Sequence, residues 1–360
     1  MRTTLRGSPV VVAPGKVFLA GEYGVLDGGT AVLAAVDRRA IGEFIPALEP
    51  GSPLVAEAVR TALAALGDKA AALPSGSVCI DTGAFFYKYK DVVEYKDAFG
   101  AGDDGRKLGL GSSAATAACA VGAILEMSGL PVAAHRDLAF SLAESSHRAW
   151  QGGLGSGADV AVSVYGGVLQ YSRPSGGAPV VRRLPGRLPG LALVIFSSRA
   201  AAATTQQIRG VRAFAKASPA AYAALLAPIR AAADRFVESL AAARPRDAVA
   251  ATRAAADALA ALGEAAAVAI VTPAFARAGA LAVELGGAAK PSGAGGGDVG
   301  VALFTEAAAA DAFAARLREP PPAGDAALAL DILDLTIDDN GLHRRNAGQA
   351  RVEENHASSI

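Results

Sequence analysis

Two cysteines and four histidines in 360 residues leave little material for a Cys/His zinc centre, and no CxxC pair occurs. Cys79 and Cys119 lie in the apolar stretches SVCI and TAACAV, which reads as two free, buried thiols in a reducing compartment. Neither sign of charge is in excess. The 34 basic and 34 acidic residues give a formal net charge of zero, which excludes a nucleic-acid footprint or a polybasic membrane surface but allows a local basic pocket for an anionic substrate. No apolar run is long enough to span a bilayer. The N-terminal MRTTLRGSPVVVAPGK also falls short of a secretory leader, so a soluble cytoplasmic protein is expected. GxxxxGK[ST] is missing, which removes the P-loop nucleotide site. Gly109, Gly111 and Ala114 satisfy GxGxxA, but the region about 20 positions on reads GLPVAAH, with none of the acid a dinucleotide site wants.

What is present suggests a folded chain: 52% hydrophobic and 19% charged residues, in a length that suits two domains. Strands are expected near 9–12 and 17–20, separated by a Pro14–Gly15 turn, then a short helix or strand at 30–35 and strands at 37–45 and 77–81. Apolar spacing predicts helices at 53–66, 112–128 and 135–148, and a helix or turn at 159–164. Strands at 168–172 and 191–196 flank a Pro- and Gly-rich linker at 174–189. The chain then reads as mostly helical to residue 285, with a Gly-rich turn at 286–297, a strand at 299–304, a helix at 307–318 and a last strand at 328–337. Residues 84–104 read as an irregular surface segment.

Four glycine-containing elements carry the chemistry. In APGKVFLAGEYGVLDGG, Lys16 opens an apolar strand and offers a point charge to a phosphate. In KLGLGSSAATAACA, Gly109 and Gly111 bring backbone close to whatever lies above them. Ser112 or Ser113 is expected to cap the next helix, whose free N–H groups and dipole make an anion site. A serine hydroxyl there is also a candidate Mg²⁺ ligand. In HRAWQGGLGSGADVAVSVYGG, Asp159 either accepts a proton, helps hold Mg²⁺, or simply caps a helix. In KPSGAGGGDVGVALF, five of the eight residues from Gly293 to Gly300 are glycine. That costs too much backbone entropy to serve stability, and points to close approach by a ligand phosphate.

These four elements, in this order, resemble the GHMP kinase superfamily, from about residue 10 to about 335. Within it, GEYGVL, the Lys107–Leu108 lead into GLGSSAA, and SGAGGGD with Asp298 resemble the phosphomevalonate kinase family. The resemblance implies an α+β, two-domain α/β fold. Residues 1–190 would form an ATP-binding domain like ribosomal protein S5 domain 2, residues 191–338 a ferredoxin-like domain, and 339–360 a disordered tail. It implies ATP and Mg²⁺ as cofactors, phosphomevalonate as the small-molecule substrate, neither nucleic acid nor membrane as partner, and a monomer or homodimer. Lys16 and Asp159 would be catalytic. Lys107, Gly109, Leu110, Gly111, Ser112, Ser113 and Ala114 would bind ATP, with Ser113 also on the metal. Tyr23, Ser156, Ser292, Gly293, Ala294 and Gly295 would meet the substrate. Rivals are mevalonate kinase, another GHMP kinase, or a GHMP-fold sensor that binds without turnover.

Overall fold

The computed structural model describes residues 8–49, 51–86, 107–184, 187–198, 204–319 and 328–345. Most of the 84–104 segment therefore lies outside the described residues, though Phe85 at its start is 1% exposed and belongs to the core.

The first sheet is built on two long antiparallel strands, β1 (Val10–Ala20) and β2 (Ala31–Pro46). Each is one strand where the sequence suggests two elements. Pro14 and Gly15 do not turn the chain; the register shifts between them, so the strand absorbs the interruption as an irregularity and continues. A methyl on Gly15 would lie 2.7 Å from Leu110 O, which explains why glycine stands at this crossing.

β3 (Gly76–Asp81) pairs with β2, as does β4 (Val168–Ser172) further along. β5 (Val180–Arg183) pairs with β4, inside the stretch that reads as linker. Against this sheet pack α2 (Ser112–Met127) and α4 (Ala158–Tyr165), with α1 (Pro53–Leu66) reaching β3 and α3 (Arg136–Trp150) lying on the other three helices. Every residue of α2 from Ala114 to Leu125 is buried. Small side chains let it sit close to the strands on one side and to α1 and α3 on the other. Cys119 is in this core, with its thiol donating to Ala40 O at 3.3 Å, while Cys79 is only half-buried; neither forms a disulfide.

The second sheet has the order β7 (Ala288–Pro291), β8 (Val299–Phe304), β6 (Ala192–Ser198), β9 (Leu330–Leu333), all antiparallel. Between β6 and β7 run α5 (Thr204–Ala217), α6 (Pro219–Ala241), α7 (Pro245–Ala266) and α8 (Pro273–Glu284); α9 (Ala307–Arg318) follows β8. Alternate residues of β6 and β8 face opposite ways. Phe196 and Phe304 join Phe275 and Phe313 of α8 and α9, whereas Ile195, Val301 and Leu303 join Phe236 and Ala248 of α6 and α7 in the core that also holds β1. The sheet is thus buried on both faces, and one hydrophobic cluster runs across both domains.

Past residue 338 the chain stays packed to Arg345. Leu342 is fully buried against Gly122 of α2, and β10 (His343–Arg344) adds to β1 at Val11 and Val12. An apolar residue and a free strand edge are enough to hold this part of the predicted tail; the remainder, 346–360, lies outside the described residues. Among the described residues, no helix is long and apolar enough to cross a membrane.

Candidate active site

The first phosphate-type loop is anchored by its leucines. Leu108 and Leu110 are 4% and 1% exposed, Leu108 N donates to Phe85 O, and Lys16 N donates to Leu110 O, each at 2.8 Å. Between these anchors Gly109 and Gly111 take φ of +74° and +79°, a region that glycine enters without strain. Gly111, not a serine, is the N-cap of α2. The first intrahelical donors are Ala114 and Ala115, both to Gly111 O, so the N–H groups of Ser112 and Ser113 precede the helix ladder at its positive end. The expected serine cap is therefore absent, and the Ser113 hydroxyl instead lies 3.0 Å from His147 Nε2 on α3.

Lys16 comes from β1 and lies across this loop. A methyl on Gly111 would sit 2.9 Å from Lys16 Cγ, and one on Gly293 would sit 3.6 Å from its Nζ. The Nζ also approaches Gly109 O at 3.5 Å and stands 5.3 Å from the centre of the Phe18 ring. The ammonium is thus held between the first and third glycine loops. Burial lowers its pKa, with Lys290 adding to that effect, while the carboxylates of Asp159, Asp298 and Glu22 oppose it.

The third loop is fastened to the end of β1. Ser292 Oγ accepts from Phe18 N at 2.7 Å, and Tyr23 OH donates to Ala294 O at 2.6 Å. Lys290 pairs with Glu22, both side chains fully enclosed, and its ammonium also donates to Pro291 O at 3.1 Å. Burial pushes the Tyr23 phenol above its ordinary value, so it stays a neutral donor. The hydroxyls of Tyr23 and Ser292 are thus engaged in joining the two domains. Tyr23 holds φ +58° and Asp298 φ +56°, conformations that cost a residue with a side chain about 1–3 kcal/mol.

Asp298 ends this loop beside the first one. A methyl on Gly109 would be 2.4 Å from its Cβ and 2.9 Å from Oδ2, so the carboxylate lies directly over that glycine. Its carbonyl accepts from Ser198 N and Ser197 Oγ, both at 2.8 Å. Asp159 stands in the first turn of α4, whose cap is Gly157, and its Oδ1 accepts from Val160 N at 3.0 Å. Ser156 Oγ accepts from Ala158 N at 3.3 Å, and its carbonyl accepts from Tyr171 OH at 2.6 Å. Lys107 is exposed and forms an isolated bridge with Phe86.

Glu22, His147, Gln207, Lys290 and Asp298 are missing from the site as read from sequence. Gln207 of α5 covers the third loop, with its amide 1.9 Å from where a methyl on Gly296 would stand. Glu22 adjoins Tyr23 in GEY and Lys290 stands two positions before Ser292 in KPSG; the signal lay in two opposite charges inside otherwise apolar or Gly-rich stretches. Nothing in the sequence marks His147 or Gln207.

The carboxylates of Asp159, Asp298 and Glu22 act on Lys16, Glu22 being paired with Lys290, and the Ser113 hydroxyl stands at the start of α2; these are hard oxygen ligands of the kind Mg²⁺ takes. Among the described residues, no three His, Cys, Asp or Glu are grouped to hold a metal by themselves. This fits an ion whose shell is completed by phosphate oxygens and water.

Two stretches of the chain match known family models. Residues 105–167 match the GHMP kinases N terminal domain, and residues 236–323 match GHMP kinases C terminal. A phosphomevalonate kinase of Streptomyces sp. (strain CL190) is 27% identical, over 88% of this chain and 95% of its own length. A mevalonate kinase of Aeropyrum pernix is 31% identical over 60% of this chain and 64% of its own. Among solved structures, Streptococcus pneumoniae phosphomevalonate kinase in complex with phosphomevalonate and AMPPNP superposes with a TM-score of 0.70. It is 20% identical and covers 93% of this chain and 99% of that one.

Proposed function

We propose that this chain, which carries both GHMP kinase domains and their fold, transfers the γ-phosphoryl group of MgATP to 5-phosphomevalonate, giving 5-diphosphomevalonate and ADP. The observation that carries the reading is Lys16, whose ammonium is held between a glycine loop at a helix N-terminus and a second glycine loop from the other domain.

In the reaction an acceptor phosphate oxygen bonds to Pγ while the bond from Pγ to the β,γ-bridging oxygen breaks. The backbone of Gly109, Leu110 and Gly111 and the N–H groups of Ser112 and Ser113 cradle the donor phosphates. Buried Ala114 lets the helix start sit flush behind them. Lys16 offsets charge on the oxygens around Pγ. Ser113, with Asp159 or Asp298, would hold Mg²⁺, which neutralises donor phosphate charge. The acceptor phosphate is already largely ionised at pH 7, so Asp159 serves to position it more than to remove a proton. Gly293, Ala294 and Gly295 bring backbone to the acceptor side, Ser156 borders Asp159, and exposed Lys107 supplies charge at the rim.

The likeness to the Aeropyrum enzyme favours mevalonate as the second acceptor to test. A hydroxyl acceptor has a proton to lose, so Asp159→Asn would then cut turnover harder. An ADP-release assay with MgATP and each acceptor decides. Turnover with phosphomevalonate alone is expected; turnover with mevalonate alone would replace the acceptor, and ADP release with neither would overturn the reading.

A further inference from the structure

The Ser113 hydroxyl has one buried neighbour that the catalytic scheme leaves unused. His147, on α3, is 2% exposed, and its Nε2 lies 3.0 Å from Ser113 Oγ. Its ring stands 5.9 Å from that of Trp150, which is 46% exposed. We propose that His147 is a positioning residue: neutral, with its proton on Nδ1, it accepts the Ser113 hydroxyl proton at Nε2 and so turns the serine lone pairs toward the phosphate-bound cation.

The inference rests on the kinase reading and on simple hydrogen-bond bookkeeping. A hydroxyl has one proton and two lone pairs, and a neutral imidazole has one donor and one acceptor nitrogen. A hydroxyl that gives a lone pair to a cation must send its proton elsewhere, and the proton of a free rotor points wherever solvent allows. At the start of α2 the Ser113 N–H precedes the helix ladder, and the Ser113 side chain is not used as a cap. The imidazole is thus the partner that fixes the rotor. Groups that orient a metal ligand from behind typically govern metal affinity as well as activity.

Binding tests this without turnover. Trp150 is the only tryptophan of the chain, so its fluorescence reports AMPPNP titrations with and without Mg²⁺. In His147→Phe the Mg²⁺ concentration for half-saturation should rise about tenfold or more, with metal-free AMPPNP binding unchanged. His147→Gln, which keeps an acceptor near Nε2, should stay near wild type. Combining His147→Phe with Ser113→Ala should add nothing to Ser113→Ala alone. Equal loss of metal-free and metal-bound affinity, no loss in either, or additive effects would each overturn the proposal while leaving the kinase reading intact. Wild-type protein that binds no AMPPNP would overturn the kinase reading and this proposal together. Should His147→Phe not fold, ¹⁵N spectra of the four histidines in wild-type protein decide. An unprotonated Nε2 on His147 supports the proposal, and a proton there overturns it.

Discussion

The two glycine loops that face Lys16 look alike in sequence and are built for different tasks. The loop at Gly109 and Gly111 is anchored by buried leucines and leaves its N–H groups at the head of a helix. The loop at 290–298 is tied down by polar side chains, Lys290 to Glu22, Ser292 to Phe18 N, and Ala294 O to Tyr23. Glycine therefore has two uses here. In the first loop it clears space beside charged groups, Lys16 and Asp298; in the second it lets backbone bend against backbone, as at Gly295, where a methyl would be 2.2 Å from Ile270 O.

The largest test of this contrast is Lys16→Met, which removes what the two loops share. Turnover should fall on the order of a thousandfold, with the melting temperature nearly unchanged; full activity would remove Lys16 from the mechanism. Next come paired glycine variants. Gly109→Ala should abolish measurable nucleotide affinity, since its methyl collides with Asp298 beside the phosphate cradle. Both positions carry the left-handed backbone cost of about 1–3 kcal/mol, but the Gly295→Ala methyl meets Ile270 O in the backbone, so its loss should show as stability in denaturant melts rather than as nucleotide affinity. If both variants fail in the same way, the division of labour is wrong.

Serines sharpen it further. Ser292→Ala leaves Phe18 N–H without its partner and should destabilise by about 1–3 kcal/mol, whereas Ser113→Ala, which also removes a partner from His147, is marked by a raised Mg²⁺ requirement. An unchanged Mg²⁺ titration in Ser113→Ala would end its assignment as a ligand. The smallest effect is in pH. Burial lowers the Lys16 pKa, and the cation is the active form. Activity should therefore fall as pH rises through that lowered value, placing the alkaline limb of kcat/KM below the ordinary lysine value of 10.5. Lys16→Arg should push the limb upward, because a guanidinium does not deprotonate in this range.

Much of this was legible in advance because glycine, lysine and serine spacing is local. Helices α1, α2, α3 and α9 follow their apolar spacing closely. The long strands were split because Pro14–Gly15 carries turn chemistry, and only a partner strand and Leu110 O show that the chain runs straight on. The sequence offers Ser112 or Ser113 as the cap of α2, yet the left-handed Gly111 takes that place and leaves the Ser113 hydroxyl to His147. Glu22, Lys290 and His147 escaped notice for one reason: each acts through a residue at least 34 positions away, Ser113 for His147 and the Glu22–Lys290 pair across 268. No local pattern encodes such a meeting.

The pairing of β10 with β1 has a consequence for how the protein is made. Arg345 N donates to Val10 O at 2.7 Å, so the described chain closes almost into a ring. A ribosome delivers Val10 long before Arg345. Until His343 and Arg344 emerge, that edge of β1, at Val11 and Val12, stays an open template that any other nascent chain could join. β10 acts as a seal fitted after the strand it closes, and the residues most exposed to misassembly are those that have waited longest for it.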